Sequence, residues 1–207
     1  MQERMNTMSD TRMPTQKRSI EKRNKIINKG FELMCENGYY NTNTTQIAEY
    51  AGVSTGIIYQ YFNDKKEIFL EGAKNYADNI MYPMIDVFSN ETIDINNLDK
   101  LIESIIDKFI TSHTISKRAH EEIMAMSHLD DDISNVFKNS ELNATKKIIT
   151  LLKNNNIIIS NQNEKVHIIV GIIDNLCHEI VYHSHKEIDY NIMKKNVVQI
   201  ISNTLKE

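Results

Sequence analysis

Apolar residues recur at helical spacing along most of this chain, and no alternation of strands with helices interrupts them. Over 19–36, Ile20, Ile27, Phe31 and Met34 form one stripe, and Asn37-Gly38 is expected to stop the helix with a left-handed cap. Two short helices are predicted within 44–62. Ile47, Ala48 and Ala51 give the first a small apolar face, and Ile58 and Phe62 point inward from the second. Asn43 with Gln46 reads as a capping box, and Ser54 as the cap of the second helix. Asp64 with Glu67 forms a second box, opening a helix through Ile68, Phe69, Ala73 and Tyr76 to about Met81, which Pro83 ends or kinks. Further helices are predicted over 91–113, 117–128, from the acidic triplet Asp130-Asp131-Asp132 to 154, over 164–184 and over 189–205.

The pair within 44–62 has the spacing of a helix-turn-helix. Ala48 lets the helices cross closely, Gly52 makes the turn, and Ile58 fills the crossing. With these inward, Thr55, Gly56, Ile57, Tyr59, Gln60 and Tyr61 are left at the outer surface. A short helix so furnished suits a DNA major groove.

Net charge is −4, which looks unfavourable for a nucleic-acid binder. Its distribution changes that picture: residues 1–74 carry 11 Lys+Arg against 9 Asp+Glu, so the motif-bearing part is the basic one. Lys17, Arg18, Lys22, Arg23 and Lys25 cluster around the first helix, either as phosphate contacts or as a solvated face. Both prolines and five of six glycines fall at or before Pro83, so the remainder reads as uninterrupted helix. No apolar run approaches a membrane span and no signal-peptide core is present, so a cytoplasmic protein is expected. Cys35 and Cys177 are expected to be reduced.

Residues 23–70 resemble the N-terminal domain of the TetR family of transcriptional regulators. The matching residues are Ile26-Ile27, Leu33, Gly38-Tyr39, Ile47-Ala48, Ala51-Gly52-Val53-Ser54, Gly56, Ile58-Tyr59, Tyr61-Phe62, Lys65 and Glu67. Gly30 stands where the family usually has alanine, and Asn43 where it usually has Ser or Thr. The resemblance implies an all-α fold: a tail over 1–17, a helix-turn-helix DNA-binding domain over 18–63, and an effector-binding and dimerisation domain over 64–207. It implies a homodimer on a palindromic double-stranded DNA operator, released by a small-molecule effector. Thr44 and Thr45 match family positions that touch backbone or neighbouring bases, and Lys65 matches a phosphate contact. Tyr59 and Tyr61 are expected on phosphates; Thr55, Ile57 and Gln60 are candidate base readers, with Gly56 between them. The last two helices are expected to pair with those of a second subunit, through Ile169, Ile173, Leu176, Ile180, Val197, Ile200 and Ile201.

Candidate chemistry beyond this is sparse. Met81, Met84, Met124 and Met126, with Phe88, Phe109 and Phe137, suggest an adaptable apolar pocket, for which His113, Tyr82, His128 or His178 could supply polar anchors. Ordinary core filling accounts for the same residues. His178, His183 and His185 are close in sequence but badly spaced for one helix face, and His113, His120, His128 and His167 look scattered. No metal, cofactor or enzymatic motif is expected. A ligand-independent interaction protein, and an enzyme carrying a borrowed helix-turn-helix, are the rival classes.

Overall fold

The computed structural model describes residues 15–78, 93–115 and 117–206. Among these are nine α-helices and no strand: α1 Lys17–Asn37, α2 Thr44–Ala51, α3 Thr55–Tyr61, α4 Lys65–Tyr76, α5 Leu98–Ile115, α6 Lys117–Ser127, α7 Asp131–Asn154, α8 Gln162–Val181 and α9 Tyr190–Lys206. Among the described residues, no helix is long and apolar enough to cross a membrane. Met81, Tyr82, Pro83, Met84 and Phe88 lie outside the described residues.

α1 buries Ile26, Ile27, Leu33 and Met34. Ile20, expected on that stripe, is exposed: it lies in the first turn, ahead of the residues that α2 and α4 cover. Gly38 ends α1 at φ 90°, ψ 140°, a positive-φ extended conformation rather than the left-handed helical cap expected. The polar terminus of α2 follows the sequence reading. Asn43 Oδ1 accepts from the Gln46 N–H at 2.9 Å, and Gln46 Oε1 accepts from the Asn43 N–H at 2.8 Å. Gly52 closes α2 in the left-handed region at φ 65°, ψ 41°, where a Cβ would be strained. Ser54 occupies the N-cap of α3, but its side chain makes no capping bond; the turn is closed instead by the Ile57 N–H donating to the Ser54 carbonyl. At α4, Asp64 accepts from the Glu67 N–H, while the Glu67 carboxylate reaches back one residue further than a capping box does, to the Asn63 N–H.

Two glycines explain how tightly α1 seats. A Cβ on Gly72 would lie 2.4 Å from Phe31 Cγ, so α1 and α4 approach only because α4 has no side chain there. A Cβ on Gly30 would lie 2.8 Å from Ile68 Cγ2 and 3.0 Å from Ile47 Cγ2. The family's usual alanine would therefore crowd both neighbours, and the helix-propensity cost of glycine is offset by close packing.

α4 leans on α1 and α7, α6 on α1 and α7, and α5 on α8 and α9, so one apolar core runs from Ile26 in α1 to Ile201 in α9. Polar contacts mark the junction. Glu122 of α6 accepts from the Tyr39 backbone N–H at 2.6 Å. Lys66 of α4 bridges Asp130 at 2.7 Å and Asp132 at 2.6 Å. Asp130 also caps α7, accepting from the Asp132 and Ile133 N–H groups, so the acidic triplet is a helix N-terminus as read.

Candidate nucleic-acid interface and effector cavity

α3 is a seven-residue helix whose inner side is fixed by Ile58 and, at its C-cap, Phe62, both fully buried. Helical geometry then turns the remaining side chains outward. Tyr59 is 50% exposed and Gln60 is exposed; Thr55, Ile57 and Tyr61 are half-buried, and Gly56 presents open backbone. The Thr44 and Tyr59 hydroxyls lie 3.0 Å apart, joining the start of α2 to α3. Beside them Tyr40, Thr42, Asn63 and Lys65 line a cleft between the starts of α2 and α4.

Lys65 is committed more deeply than its position at a helix start suggests. Its ammonium donates to the Tyr39 carbonyl at 2.6 Å and the Thr42 carbonyl at 2.7 Å, and sits 4.3 Å from the Tyr39 ring centroid. Burial lowers its pKa from the ordinary lysine value. It holds the loop between α1 and α2 closed, a role the sequence did not disclose. Two of its three N–H groups are used in this way. Among the α1 cations, Arg23 pairs with Glu71 of α4 and lies over the Phe62 ring, so it braces the head from within.

The C-terminal helices enclose an aliphatic cavity of about 80 Å³ between α5, α7, α8 and α9. Leu101, Ile105, Phe109, Ile148, Ile173 and Leu205 are among its walls. Of the residues expected to bind an effector, Phe109 alone among those described reaches it. His128 is exposed, and Met124 and Phe137 are half-buried elsewhere. The cavity is walled chiefly by Ile and Leu contributed by four separate helices, without a methionine among the described residues.

The expected dimer residues are also redistributed. Ile169, Ile173, Leu176, Val197 and Ile201 are buried within this chain's own core, and Ile180 is half-buried. They fill the space between α5, α8 and α9, so they are not an outward surface. Ile200 does face outward, at 51% exposure, joined by Ile168 at 59% and Ile192 at 57%.

His113 and His120, which looked scattered, converge with His178 below Tyr182. His120 Nε2 and His178 Nε2 are 2.9 Å apart, and the Asp174 oxygens lie 3.5 Å from His113 Nε2 and 3.6 Å from His178 Nε2. His113 and His120 are buried. Burial, reinforced by the other two histidines, pushes the His120 pKa down to about 4. Burial also lowers that of His178, against the pull of Asp174. Burial works to raise the Asp174 pKa, but the facing histidines hold it below the usual carboxylate value. The grouping comes from three helices and has no local sequence signal.

Together these features define a helix-turn-helix head on a helical bundle with an internal apolar cavity. Residues 26–71 match the family model of bacterial regulatory proteins, tetR family. The head thus resembles the TetR-family helix-turn-helix domain, and the chain as a whole shares the fold of solved TetR-family regulators. Among curated relatives, the HTH-type transcriptional regulator HbdR of Aromatoleum sp. (strain CIB) is 50% identical over 58 residues, covering 28% of this chain and 25% of that protein. The fatty acid metabolism regulator protein of Bacillus subtilis (strain 168) is 42% identical over 45 residues, covering 22% of this chain and 23% of its own length. The chain thus spans about a quarter of these relatives. Among solved structures, the fatty acid degradation regulator FadR from Bacillus halodurans superposes with a TM-score of 0.62 at 18% identity, covering 91% of this chain and 96% of that one.

Proposed function

We propose that this protein is a DNA-binding transcriptional regulator of the cytoplasm, a homodimer that represses from a palindromic operator and is released by a small-molecule effector. The single observation that carries the reading is α3: a short helix anchored by Ile58 and Phe62 that presents Tyr59 and Gln60 to solvent. Tyr59, joined to Thr44, and the third N–H of Lys65 suit phosphates on either side of a groove. Gln60 suits a bidentate pair with adenine, and Ile57 a thymine methyl. Exposed Ile168, Ile192 and Ile200 on α8 and α9 supply the apolar face for a second copy. A Cβ on Gly171 would meet nothing within 4 Å, so a partner helix can approach the backbone there.

The cavity favours an apolar effector, and at about 80 Å³ it takes a short hydrocarbon segment unless the helices part around a longer one. Its walls are Ile, Leu, Val, Ala and Phe, which cannot orient a hydrophilic molecule but gain from every methylene they cover. The names of the Bacillus relatives, both concerned with fatty acids, support an acyl ligand. Such a ligand acts through its differential affinity for states that space the two α3 helices differently.

Selection of genomic fragments by the purified protein, followed by binding to systematic operator variants, tests this. Enrichment of a palindrome with half-sites about one helical turn apart is expected, and acyl compounds should release it. Gln60→Ala should relax discrimination at one base pair by about 1–3 kcal/mol. An equal loss across all variants would assign Gln60 to the backbone instead. Failure to enrich any duplex over random competitor would overturn the proposal.

A further inference from the structure

The histidine cluster lies apart from both the reading head and the aliphatic cavity, and nothing in operator or acyl recognition requires it. His113 comes from the last turn of α5, His120 from the first turns of α6, and Asp174 and His178 from one face of α8. One nitrogen from each histidine falls in a group whose members all lie within 4.8 Å of one another.

The tautomers matter. His113 Nδ1 lies 2.8 Å from the Phe109 carbonyl, which can only accept, so Nδ1 carries the proton and Nε2 presents a lone pair. That lone pair is fully buried and has no hydrogen-bond partner among the described residues. It faces an Asp174 carboxylate oxygen at 3.5 Å, so either a second proton on the imidazole or a bound cation has to lie between them. His120 and His178 share an Nε2···Nε2 hydrogen bond of 2.9 Å in the same region, so one of them carries there a proton that an ion would replace. In His113, one ring nitrogen is fixed on a carbonyl and the other aimed at the shared region, which is how proteins orient metal-binding imidazoles.

We propose that His113, His120 and His178 through Nε2, with a carboxylate oxygen of Asp174, form a tetrahedral site for a divalent transition-metal ion of the Zn²⁺ class. Metal–nitrogen bonds of about 2.0–2.1 Å place neighbouring ligands roughly 3.3–3.4 Å apart in a tetrahedron. The His120–His178 pair has to spread by a few tenths of an ångström, the histidine nitrogens, all within 4.8 Å of one another, have to draw to tetrahedral spacing, and Asp174, whose Oδ1 faces His113 at 3.5 Å and whose Oδ2 faces His178 at 3.6 Å, has to turn one oxygen to the ion. Three imidazoles and one carboxylate favour a borderline-soft ion over Mg²⁺ or Ca²⁺, which prefer oxygen cages. With the ion bound, His120 and His178 both hold their proton on Nδ1 and stay neutral.

The surroundings suit such a site. The Tyr182 ring stacks on His120, with centroids 5.1 Å apart and planes 13° from parallel, and its hydroxyl donates to the His113 carbonyl at 3.1 Å. Tyr182 thus closes one side and ties α5 to α8. Asp174 and His178 are only partly covered, which leaves a path for a hydrated ion. His183 and His185, the neighbours that invite attention in the sequence, are exposed and outside the group.

The test is titration of chelator-treated, untagged full-length protein with Co²⁺, followed by Zn²⁺. One equivalent of Co²⁺ per chain should bind, giving the intense visible bands of a four-coordinate ion, and one equivalent of Zn²⁺ should bleach them. Asp174→Asn should weaken uptake at least tenfold and His178→Ala should abolish it, while a His183→Ala/His185→Ala double variant keeps it. Circular dichroism confirms that each variant is folded. If the buried His113→Ala variant fails to fold, the two α8 variants still decide. Zn²⁺ should also raise the Tm of the wild type and not of His178→Ala. Absence of saturable uptake by the folded wild type would overturn the proposal. So would a pale six-coordinate spectrum, or uptake unchanged by both α8 substitutions.

Discussion

In the α2–α3 head, polar groups are answered close to home: Asn43 and Gln46 satisfy each other's N–H groups, and at the start of α4 Asp64 accepts from the Glu67 N–H while Glu67 accepts from the Asn63 N–H. In the bundle, by contrast, His113 Nε2, His120 Nδ1 and the Tyr76 hydroxyl are buried without hydrogen-bond partners among the described residues. The head is complete as it stands, with its outward face already in place for a rigid duplex. The bundle holds apolar space and a histidine cluster that a small ligand or ion would complete. A surface that reads a fixed shape profits from preorganisation. A sensing region needs states that differ in what they can bind, and unsatisfied groups supply that difference.

The sharpest way to break the contrast is to hollow the head. Phe62→Ala removes a fully buried ring that also carries the Arg23 guanidinium, 4.8 Å from its centroid. A loss of about 3–5 kcal/mol is expected in denaturant unfolding. A loss under 1 kcal/mol would mean the head is as loosely built as the bundle's polar pocket.

Acid addresses the other region. The His120 pKa is about 4 in the folded metal-free chain, against an ordinary value of 6.5. The unfolded chain therefore takes up this proton first as pH falls, and stability drops with it. The loss begins near pH 6.5, runs at up to roughly 1.4 kcal/mol per pH unit, and levels off below about pH 4. Unfolding followed in chelator at successive pH values measures it, and His120→Gln should flatten this part of the slope.

The smallest change is at the capping box. Asn43→Ala leaves the Gln46 N–H without its side-chain acceptor and should cost about 1 kcal/mol. The same denaturation experiment reads it. No change would show that the head does not depend on its local caps.

These regions also differed in how far they could be read in advance. The caps at Asn43 and Asp64, the turn at Gly52 and the plug at Ile58 depend on residues a few positions apart, so their chemistry is visible in the chain. Helix order and approximate limits followed from periodicity for the same reason. What could not be read depends on distant partners. Lys65 reaches carbonyls 23 and 26 residues away, and His120 meets His178 across 58. The seven apolar residues expected at a dimer face had the right spacing, but spacing does not say which side of α8 and α9 the chain itself will cover. Five of them went inward because α5 packs there. Ser54 was placed correctly and bonded differently, since a side-chain rotamer is not fixed by position alone.

The contacts of Glu122 with the Tyr39 N–H, and of Lys66 with Asp130 and Asp132, carry a consequence for movement. α4 does not act as a lone pendulum rod, because α6 and α7 clamp the base of the head at two other points. Any displacement that enters through α5 or α8 must either turn head, α6 and α7 as one gear or first unlatch those clamps. Both clamps use carboxylates partly open to water, so salt and acid should loosen the latch before they loosen the core.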